Sequence, residues 1–319
     1  KDLETALQIA YLYFTAPRFD ENEYMTGINQ INAILPNLKA NPDFQFQIAM
    51  NNILYGNNPR VVNLTDETLA KANLATIERV YRELFKDAAG ATLRIVGNVD
   101  PETIKPMIEK YIGSIAKGKK ASKVNKANNI SIAKGIIDEN VAIPMETPKS
   151  TVLQVYTAYM PIDTKTEVSL EIAKYVLDMI YTKTIREEEG GTYGVGVAMV
   201  GQRTPQERVI IQASFDTNPE QAPKLCELAI KGLKELAENG PDEEKFNMAI
   251  ENFKKNIPES RISNSYWMSN LSQYYDYGID YDKEYEEAVN SVTPADVKAV
   301  LQAVLAQNNF IEITSAPKE

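Results

Sequence analysis

An arginine and a tyrosine seven positions apart, Arg186 and Tyr193, are the residues of this chain whose types best suit ligand binding. The arginine guanidinium is permanently charged and offers a rigid fork of donors. The tyrosine hydroxyl offers an uncharged donor. Taken singly, an arginine in a last helical turn usually compensates the helix dipole, and a strand tyrosine usually lies in a core. Residue type alone therefore leaves a structural role open beside a binding role.

A glycine-rich turn separates the two residues, with Gly190, Gly191 and Gly194 between a predicted helix over 168–188 and a predicted strand over 193–200. A phosphate-binding loop is excluded, because such a loop runs from strand to helix and ends in Gly-Lys-Ser/Thr, which does not occur here. We expect a helix-to-strand turn in which Gly190 or Gly191 has a positive φ, since glycine adopts this conformation without steric cost.

The chain contains no histidine and a single cysteine, Cys226. Catalysis by serine–histidine or cysteine–histidine pairs is therefore impossible within it, and no internal disulfide can form. Cys226 lies among leucines at helical spacing, which indicates a small buried hydrophobic residue. The three consecutive glutamates at 187–189 would point in different directions from a helix, so they cannot converge on one metal ion. We expect no catalytic residue and no metal ligand in this chain.

The composition is typical of a globular protein. Of the 319 residues, 44% are hydrophobic and 24% are charged. A net charge of −10 argues against a duplex nucleic-acid binder, because phosphate binding requires a basic face. No apolar run approaches the roughly 18 residues that a membrane-spanning helix requires. We therefore expect neither a nucleic-acid partner nor a membrane span.

Hydrophobic periodicity predicts an α+β fold for the second part of the chain. Residues 151–159 and 208–215 read as strands, and the second of these alternates apolar and polar side chains. Helices are expected to fill residues 220–307, as four successive elements, before a closing strand over 310–314. Together with the helix and strand beside the glycine turn, this order favours one mixed or antiparallel sheet with helices packed mainly on one face.

The first part of the chain reads as mainly helical. A helix over 20–35 should stop before Pro36, because proline lacks the N–H group and clashes with the preceding turn. Asn73 is a predicted helix N-cap, and residues 93–96 are a predicted strand. The lysine-rich residues 117–126 indicate a solvated inter-domain linker.

An internal repeat relates the two parts at an offset of 222 residues, which places Leu3 on Leu225 and Pro36 on Pro258. After a two-residue shift, Asn73 corresponds to Thr293. An ordered series of such matches is not expected by chance, and a period this long indicates two copies of one domain. The front part of the second copy, roughly 151–216, has no counterpart in the first.

The repeat therefore predicts that the chain begins inside a domain, after about 70 missing residues. The predicted organisation is the back part of a first α+β domain over 1–118, a linker and lead-in segment over 119–147, and a complete α+β domain over 148–319. The two domains would be homologous, with the first N-terminally incomplete.

The segment Ile185–Val197 resembles the arginine–tyrosine signature in the C-terminal half of insulinase/pitrilysin-type zinc metallopeptidases. Looser similarities at Leu54–Arg60, Ile95–Asn98, Phe215–Pro219 and Ser291–Pro294 extend the resemblance along nearly the whole chain. Within the family, the bacterial pitrilysin-like proteins that carry both halves on one polypeptide are the most similar group.

This resemblance implies that Arg186 and Tyr193 reach across a clamshell and hold a substrate carbonyl, or the oxyanion derived from it, at a zinc site in the other half. The zinc motif H-x-x-E-H cannot lie in a chain without histidine. The resemblance thus implies a substrate-binding, non-catalytic C-terminal portion of a zinc-dependent endopeptidase. Its partners would be an N-terminal catalytic half that carries the zinc, on the same polypeptide or a separate subunit, and a peptide substrate that pairs as an added strand. The bacterial periplasm is favoured over the cytoplasm by the resemblance only.

Two other interpretations remain open. The same fold serves as a structural subunit of respiratory complexes or as the recognition subunit of a processing peptidase. A stand-alone peptide-binding module or chaperone-like scaffold fits the absence of histidine equally well. An H-x-x-E-H motif encoded upstream of Lys1 would separate the peptidase interpretation from both. In every case the isolated chain is expected to bind no stoichiometric zinc and to cleave no peptide bond.

Overall fold

The computed structural model describes residues 2–119 and 128–318. These residues form twelve α-helices and five β-strands. The helices are α1 Leu3–Thr15, α2 Glu21–Ala40, α3 Pro42–Leu54, α4 Asp66–Ala70, α5 Leu74–Leu84, α6 Pro101–Tyr111, α7 Thr164–Tyr181, α8 Ala222–Asn239, α9 Glu243–Ser260, α10 Asn264–Tyr277, α11 Tyr281–Ser291 and α12 Pro294–Leu305. The strands are β1 Ile136–Ile143, β2 Ser150–Ala158, β3 Gly196–Gln202, β4 Arg208–Thr217 and β5 Phe310–Pro317. The chain divides into two compact units, unit 1 (Lys1–Ala40 and Val62–Asn128) and unit 2 (Asn41–Val61 and Asn129–Glu319).

The strands of unit 2 form one mixed sheet in the order β1-β5-β2-β4-β3. β1 and β5 are parallel, whereas the other neighbours are antiparallel. β4 has the predicted alternation, since Val209, Ile211, Ala213 and Phe215 are all buried. The predicted α+β class with a mixed sheet is confirmed.

Helices cover the two faces of this sheet unequally. Five helices, α7, α8, α9, α11 and α12, share the larger core with Val152 and Tyr156 of β2. Leu153 of the same strand points to the opposite face, because successive strand residues alternate. There it packs with Phe46 and Leu54 of α3. Helices thus lie mainly on one face, as predicted, and a helix from the N-terminal part of the chain packs on the other.

The described residues of unit 1 contain helices α1, α2, α4, α5 and α6 and no strand. The predicted strand over 93–96 is wrong, because these residues have no regular secondary structure. A strand requires a neighbour for its N–H and C=O groups, and the described part of unit 1 offers none. β5, the counterpart of this segment under the repeat, lies between β1 and β2.

The predicted helix end before Pro36 is also wrong. α2 continues through this residue to Ala40, and α9 likewise continues through Pro258. Pro36 lies within the last five residues of α2, so few intrahelical hydrogen bonds depend on it. The neighbouring Leu35 is only 2% exposed, and its burial helps to hold this part of the helix in place.

The predicted linker and lead-in segment over 119–147 contains β1, which periodicity did not reveal. Residues 120–126 of the predicted lysine-rich linker lie outside the described residues. The burial of β1 is irregular along its length, so it lacks the alternation that identifies a strand from sequence.

Helix boundaries follow the sequence repeat. α2 and α9 begin 222 residues apart, as do α3 and α10. α5 and α12 begin 220 residues apart, with Asn73 and Thr293 as their N-caps. Five helices follow β4, where four were predicted. Within the described part of the chain, no helix is both long and apolar enough to span a membrane.

Equivalent helices of the repeat should differ in stability. Ile77 and Leu84 of α5 are 46% and 69% exposed, whereas their counterparts in α12, Val297 and Val304, are 0% and 1% exposed. Local opening requires less free energy where few apolar contacts are lost. We expect amide protons of α5 to exchange at least about tenfold faster than those of α12 in hydrogen-exchange mass spectrometry. Because both helices have side-chain N-caps, capping cannot cause a difference between them. Equal protection of their amide protons from exchange would therefore show that packing does not set their local stability.

Candidate functional site

The connection between α7 and β3 carries both residues singled out from the sequence. The α-helix ends at Tyr181, and a π-helical segment, Thr182–Glu188, continues in its direction. π-helical turns occur mostly as single turns and frequently lie at functional sites. β3 begins only at Gly196, three residues later than the predicted strand start at Tyr193. Thr192 explains the delay, because its hydroxyl donates to the Gly194 carbonyl at 3.0 Å and forms a local turn.

Arg186 and Tyr193 are both exposed to solvent. Arg186 lies in the π-helical segment, and Tyr193, on the loop before β3, is 100% exposed. Among the described residues, neither the Arg186 guanidinium nor the Tyr193 hydroxyl has a hydrogen-bond or ion-pair partner. A large aromatic side chain that is held fully in solvent contributes nothing to the core. Its donor, like that of the arginine, is therefore available to a ligand. That the two side chains share one rim remains a prediction.

Tyr193 borders a cavity of about 510 Å³. The cavity lies within unit 2, between the glycine turn, the residues that lead into β2, and the end of β4. Its lining comprises Thr147, Pro148, Lys149, Gly190, Gly191, Thr192, Tyr193, Asp216, Thr217 and Asn218. Arg186 is not part of this lining. The structure thus places two of the three predicted turn glycines and the tyrosine at one concave surface.

Lys149 is the charged centre of this cavity wall. Its Nζ atom lies 2.9 Å from Asp43 Oδ1 and 3.3 Å from Asp216 Oδ2, and Asp216 also accepts from the Thr151 hydroxyl. The hydrogen bond to Asp43 is the main cause that raises the pKa of Lys149, and the charge of Asp216 adds to it. Sequence reasoning missed this residue. The register of β2 and β4, which pairs Ser150 with Thr217, brings Lys149 to Asp216, but no local pattern points to Asp43 in α3.

The glycines of the turn have separate structural roles. Gly190 has a φ of +63°, which confirms the predicted positive φ. Gly191 is buried, and its carbonyl accepts a 2.6 Å hydrogen bond from the Thr217 hydroxyl at the end of β4. A Cβ atom at Gly191 would lie 2.7 Å from Leu225 Cδ1 of α8, closer than real Cβ atoms approach. Around Gly194 there is open space, so its Cβ would meet nothing within 4 Å.

Gly191→Ala should therefore destabilise the protein by about 1–3 kcal/mol, the usual cost of overpacking a core. Leu225 is 0% exposed, so its terminal methyl group cannot move aside freely. Gly194→Ala is the matched control and should change the free energy of unfolding by less than about 0.5 kcal/mol. Urea denaturation of both variants measures the two values. Equal losses of unfolding free energy in the two variants would show that packing against Leu225 is not the reason for a glycine at position 191.

β3, which begins three residues after Tyr193, has a free edge. It is the last strand of the described sheet and pairs only with β4 there. Gly196, Ala198 and Val200 are exposed, whereas Val197 and Met199 are buried, so the strand has one solvent face. Unpaired N–H and C=O groups at such an edge are a template for another extended segment. Gly196 and Ala198, at two of the exposed positions, are small and leave that segment room to approach.

The residues of this chain do not fit a zinc site. Zinc prefers histidine, thiolate and carboxylate ligands, and the sequence has no histidine. The one cysteine, Cys226, is buried, and burial raises the pKa of its thiol to about 12, so the thiol stays protonated. Of the three consecutive glutamates, Glu189 pairs with Lys224 of α8. The described residues contain no group of three potential metal-ligating side chains that could hold an ion.

Comparison with known proteins shows what the chain as a whole is similar to. The sequence profile described as "Peptidase M16 inactive domain" matches residues 71–253, more than half of the chain. A protein of Arabidopsis thaliana described as "Zinc protease PQQL-like" is 25% identical over 288 residues, which are 86% of this chain and 30% of that protein. The crystal structure of the periplasmic protease PqqL from Escherichia coli has a TM-score of 0.84 at 21% identity, over 99% of this chain and 35% of that one.

A second solved structure, the first half of the same Escherichia coli protease, has a TM-score of 0.74 at 11% identity and covers 99% of this chain and 70% of that one. At these identities the likeness establishes the fold. The chain spans 30% of the length of the plant relative and 35% of the bacterial protease.

Proposed function

This chain belongs to the peptidase M16 inactive domain family, and from this membership we propose that it is the substrate-binding, non-catalytic portion of a zinc-dependent endopeptidase. The observation that carries the proposal is the full exposure of Tyr193, which borders a cavity and lies three residues before the edge strand β3. An enzyme that cleaves peptides of varied sequence must recognise the peptide backbone. An exposed phenol, an exposed guanidinium and a strand edge all offer backbone-directed hydrogen bonds.

The substrate would add to the sheet as a sixth strand. Main-chain N–H and C=O groups of an extended peptide pair with the outer edge of β3, which gives affinity without sequence selection. The exposed Gly196 and Ala198 impose no bulky side chain at the contact. The Tyr193 hydroxyl and the Arg186 guanidinium then donate to carbonyl oxygens of that peptide. The charged guanidinium contributes the stronger bond, because hydrogen bonds from ionised donors are roughly twice as strong as neutral ones.

The catalytic partner would be a second half that carries the motif H-x-x-E-H, supplies the zinc site and encloses the peptide together with this chain. The likeness of this chain to the first half of the Escherichia coli protease supports a pairing of two similar halves. The names of the zinc protease relatives support the class of reaction. The proposal assigns no peptide sequence.

Binding of a labelled peptide to the isolated chain tests the proposal. A fluorescein-labelled unstructured peptide of about 15 residues should bind, while the same peptide N-methylated at alternate residues should bind at least about tenfold more weakly, because it cannot pair as a strand. The double variant Arg186→Gln with Tyr193→Phe should also bind more weakly. Equal binding of both peptides would overturn strand addition. Unchanged binding by the double variant would show that Arg186 and Tyr193 do not contribute to peptide binding.

A further inference from the structure

A second pocket of about 360 Å³ lies among the helices of unit 2 and shares no residue with the cavity at Tyr193. Helices α7, α9, α10 and α11 each contribute to its wall. The residues that define its chemistry are Glu171, Phe253, Ile257, Tyr266, Tyr281 and Tyr285. The volume is at the lower end of the roughly 300–1,000 Å³ of ligand sites, which suits one side chain or a molecule of similar size.

Glu171 is the charged group of this pocket, and no cation among the described residues is its partner. Its Oε2 atom accepts a 2.7 Å hydrogen bond from the Tyr285 hydroxyl. No lysine or arginine within the described residues forms an ion pair with it. Burial is the main cause that raises its pKa, the Tyr285 hydrogen bond lowers it, and the charge of Glu167 raises it further. A carboxylate that is removed from water without a counter-ion is costly, so a cationic ligand would stabilise it.

Two arginines whose charges act on tyrosines of this pocket, and Lys174 one turn after Glu171 on α7, are already paired with carboxylates. Arg203 pairs with Glu167, one helical turn before Glu171 on α7. Arg261 makes two hydrogen bonds to Asp282, and one to Glu286 at 2.6 Å. These pairs hold the arginines outside the pocket, whose lining includes neither of them. The negative charge of Glu171 is therefore left for a molecule from solution.

The aromatic walls favour the same kind of ligand. Four aromatic rings line a pocket of this small size, and the rings of Tyr281 and Tyr285 lie 5.6 Å apart. The hydroxyl of Tyr266 donates to Asp282 at 2.6 Å and that of Tyr285 donates to Glu171, which fixes both rings. Aromatic rings attract organic cations through their negative faces and bury the alkyl part of such a ligand.

We propose that this pocket binds a primary alkylammonium group, with Glu171 as its counter-ion and the rings of Tyr266, Tyr281 and Tyr285 around its alkyl chain. Two sources share this chemistry, the lysine side chain of a peptide and a free alkylamine. The ammonium donates to the carboxylate of Glu171, and the Tyr281 hydroxyl, which has no hydrogen-bond partner among the described residues, remains as a further acceptor.

Isothermal titration of the isolated chain with n-butylammonium, with Nα-acetyl-lysine amide and with neutral 1-pentanol tests the proposal. Either cation should bind at least about tenfold more tightly than the alcohol, because the alcohol lacks the ionic hydrogen bond and the cation–π attraction. Tighter binding of the lysine amide assigns the site to a peptide side chain, and tighter binding of butylammonium assigns it to a free amine. Either result supports the ammonium class.

Glu171→Gln should weaken binding of both cations at least about tenfold and leave the alcohol unaffected. Tyr281→Leu, which removes a ring, should weaken the cations about three- to tenfold. Glu259→Gln removes the same charge from the exposed side of α9 and should leave all three affinities unchanged. Circular dichroism confirms that each variant is folded. Equal affinity for the cations and the alcohol, or unchanged cation affinity in folded Glu171→Gln, would overturn the proposal.

Discussion

Replacement of Tyr193 by phenylalanine should slow peptide cleavage by the intact protein roughly ten- to a thousandfold, which corresponds to about 1–4 kcal/mol of lost transition-state stabilisation. The side chain is fully exposed and its hydroxyl has no partner among the described residues, so the substitution removes a donor and no packing. In the proposed complex this donor meets a substrate carbonyl on which negative charge develops. The loss should therefore appear mainly in kcat.

The control is Tyr275→Phe, which removes the hydroxyl of another exposed tyrosine, on α10, and should leave turnover unchanged. Zinc content and the melting temperature of Tyr193→Phe should match those of the unaltered protein. Arg186→Lys keeps the charge but loses the planar fork, and it should reduce turnover as well. Normal turnover by Tyr193→Phe would show that the Tyr193 hydroxyl does not contribute to peptide cleavage. An intact protein without any hydrolytic activity would instead favour a structural or recognition subunit of the same fold.

The sequence revealed elements whose signals are local. β4 was predicted because its buried residues alternate along the strand, and the glycine turn because Gly190 requires a positive φ. The N-cap residues Asn73 and Thr293 indicate where α5 and α12 begin. Each side chain accepts a hydrogen bond from the backbone N–H of the third residue of its helix. Hydrophobic period and capping chemistry act over a few residues, so a single sequence is sufficient to read them.

Other elements depend on partners that are distant in sequence. Residues 93–96 have strand-like composition but no neighbouring strand within the described part of unit 1, whereas β1 has little alternation and is held by its parallel pairing with β5. In both cases tertiary context outweighs local propensity. The helices that cover the larger core of unit 2 were predictable from hydrophobic periodicity. The packing of α3 on the opposite face was not predictable, because Phe46 and Leu54 pack with strand residues about 80 or more positions away.

The candidate site likewise combines residues that local patterns reveal with residues that only the tertiary structure brings together. Residue type, spacing and family resemblance singled out Arg186 and Tyr193, but the wall beside the tyrosine joins Lys149 to Asp43 and Asp216 from two other elements. A lysine before a strand carries no signal of its own. Its role follows from the register of β2 and β4 and from the position of α3, neither of which a local pattern contains.

One buried ion pair fixes the far end of the edge strand that begins beside Tyr193. Arg203 directly follows β3, and its guanidinium pairs with Glu167 near the start of α7. The side chains are only 8% and 13% exposed. Burial raises the pKa of Glu167 and outweighs the opposing effect of Arg203. Since the folded state then binds a proton more readily than the unfolded state, the contribution of this carboxyl to stability falls as the pH rises above its ordinary value of 4.5.

Arg203→Met should destabilise the protein by about 3–5 kcal/mol at pH 7, because it leaves Glu167 buried without its counter-ion. The loss should be smaller at about pH 4, where the carboxyl is largely protonated in both the folded and the unfolded state. Adding Glu167→Leu should recover most of the lost stability, since two apolar side chains replace the pair. Lys283→Met is the control, because the Lys283–Glu287 pair is 69% and 66% exposed and its loss should cost less than about 1 kcal/mol. Urea denaturation at both pH values measures these differences. A loss that is equal at both pH values, or that the second substitution deepens, would show that Arg203 acts by packing against its neighbours and not by compensating the charge of Glu167.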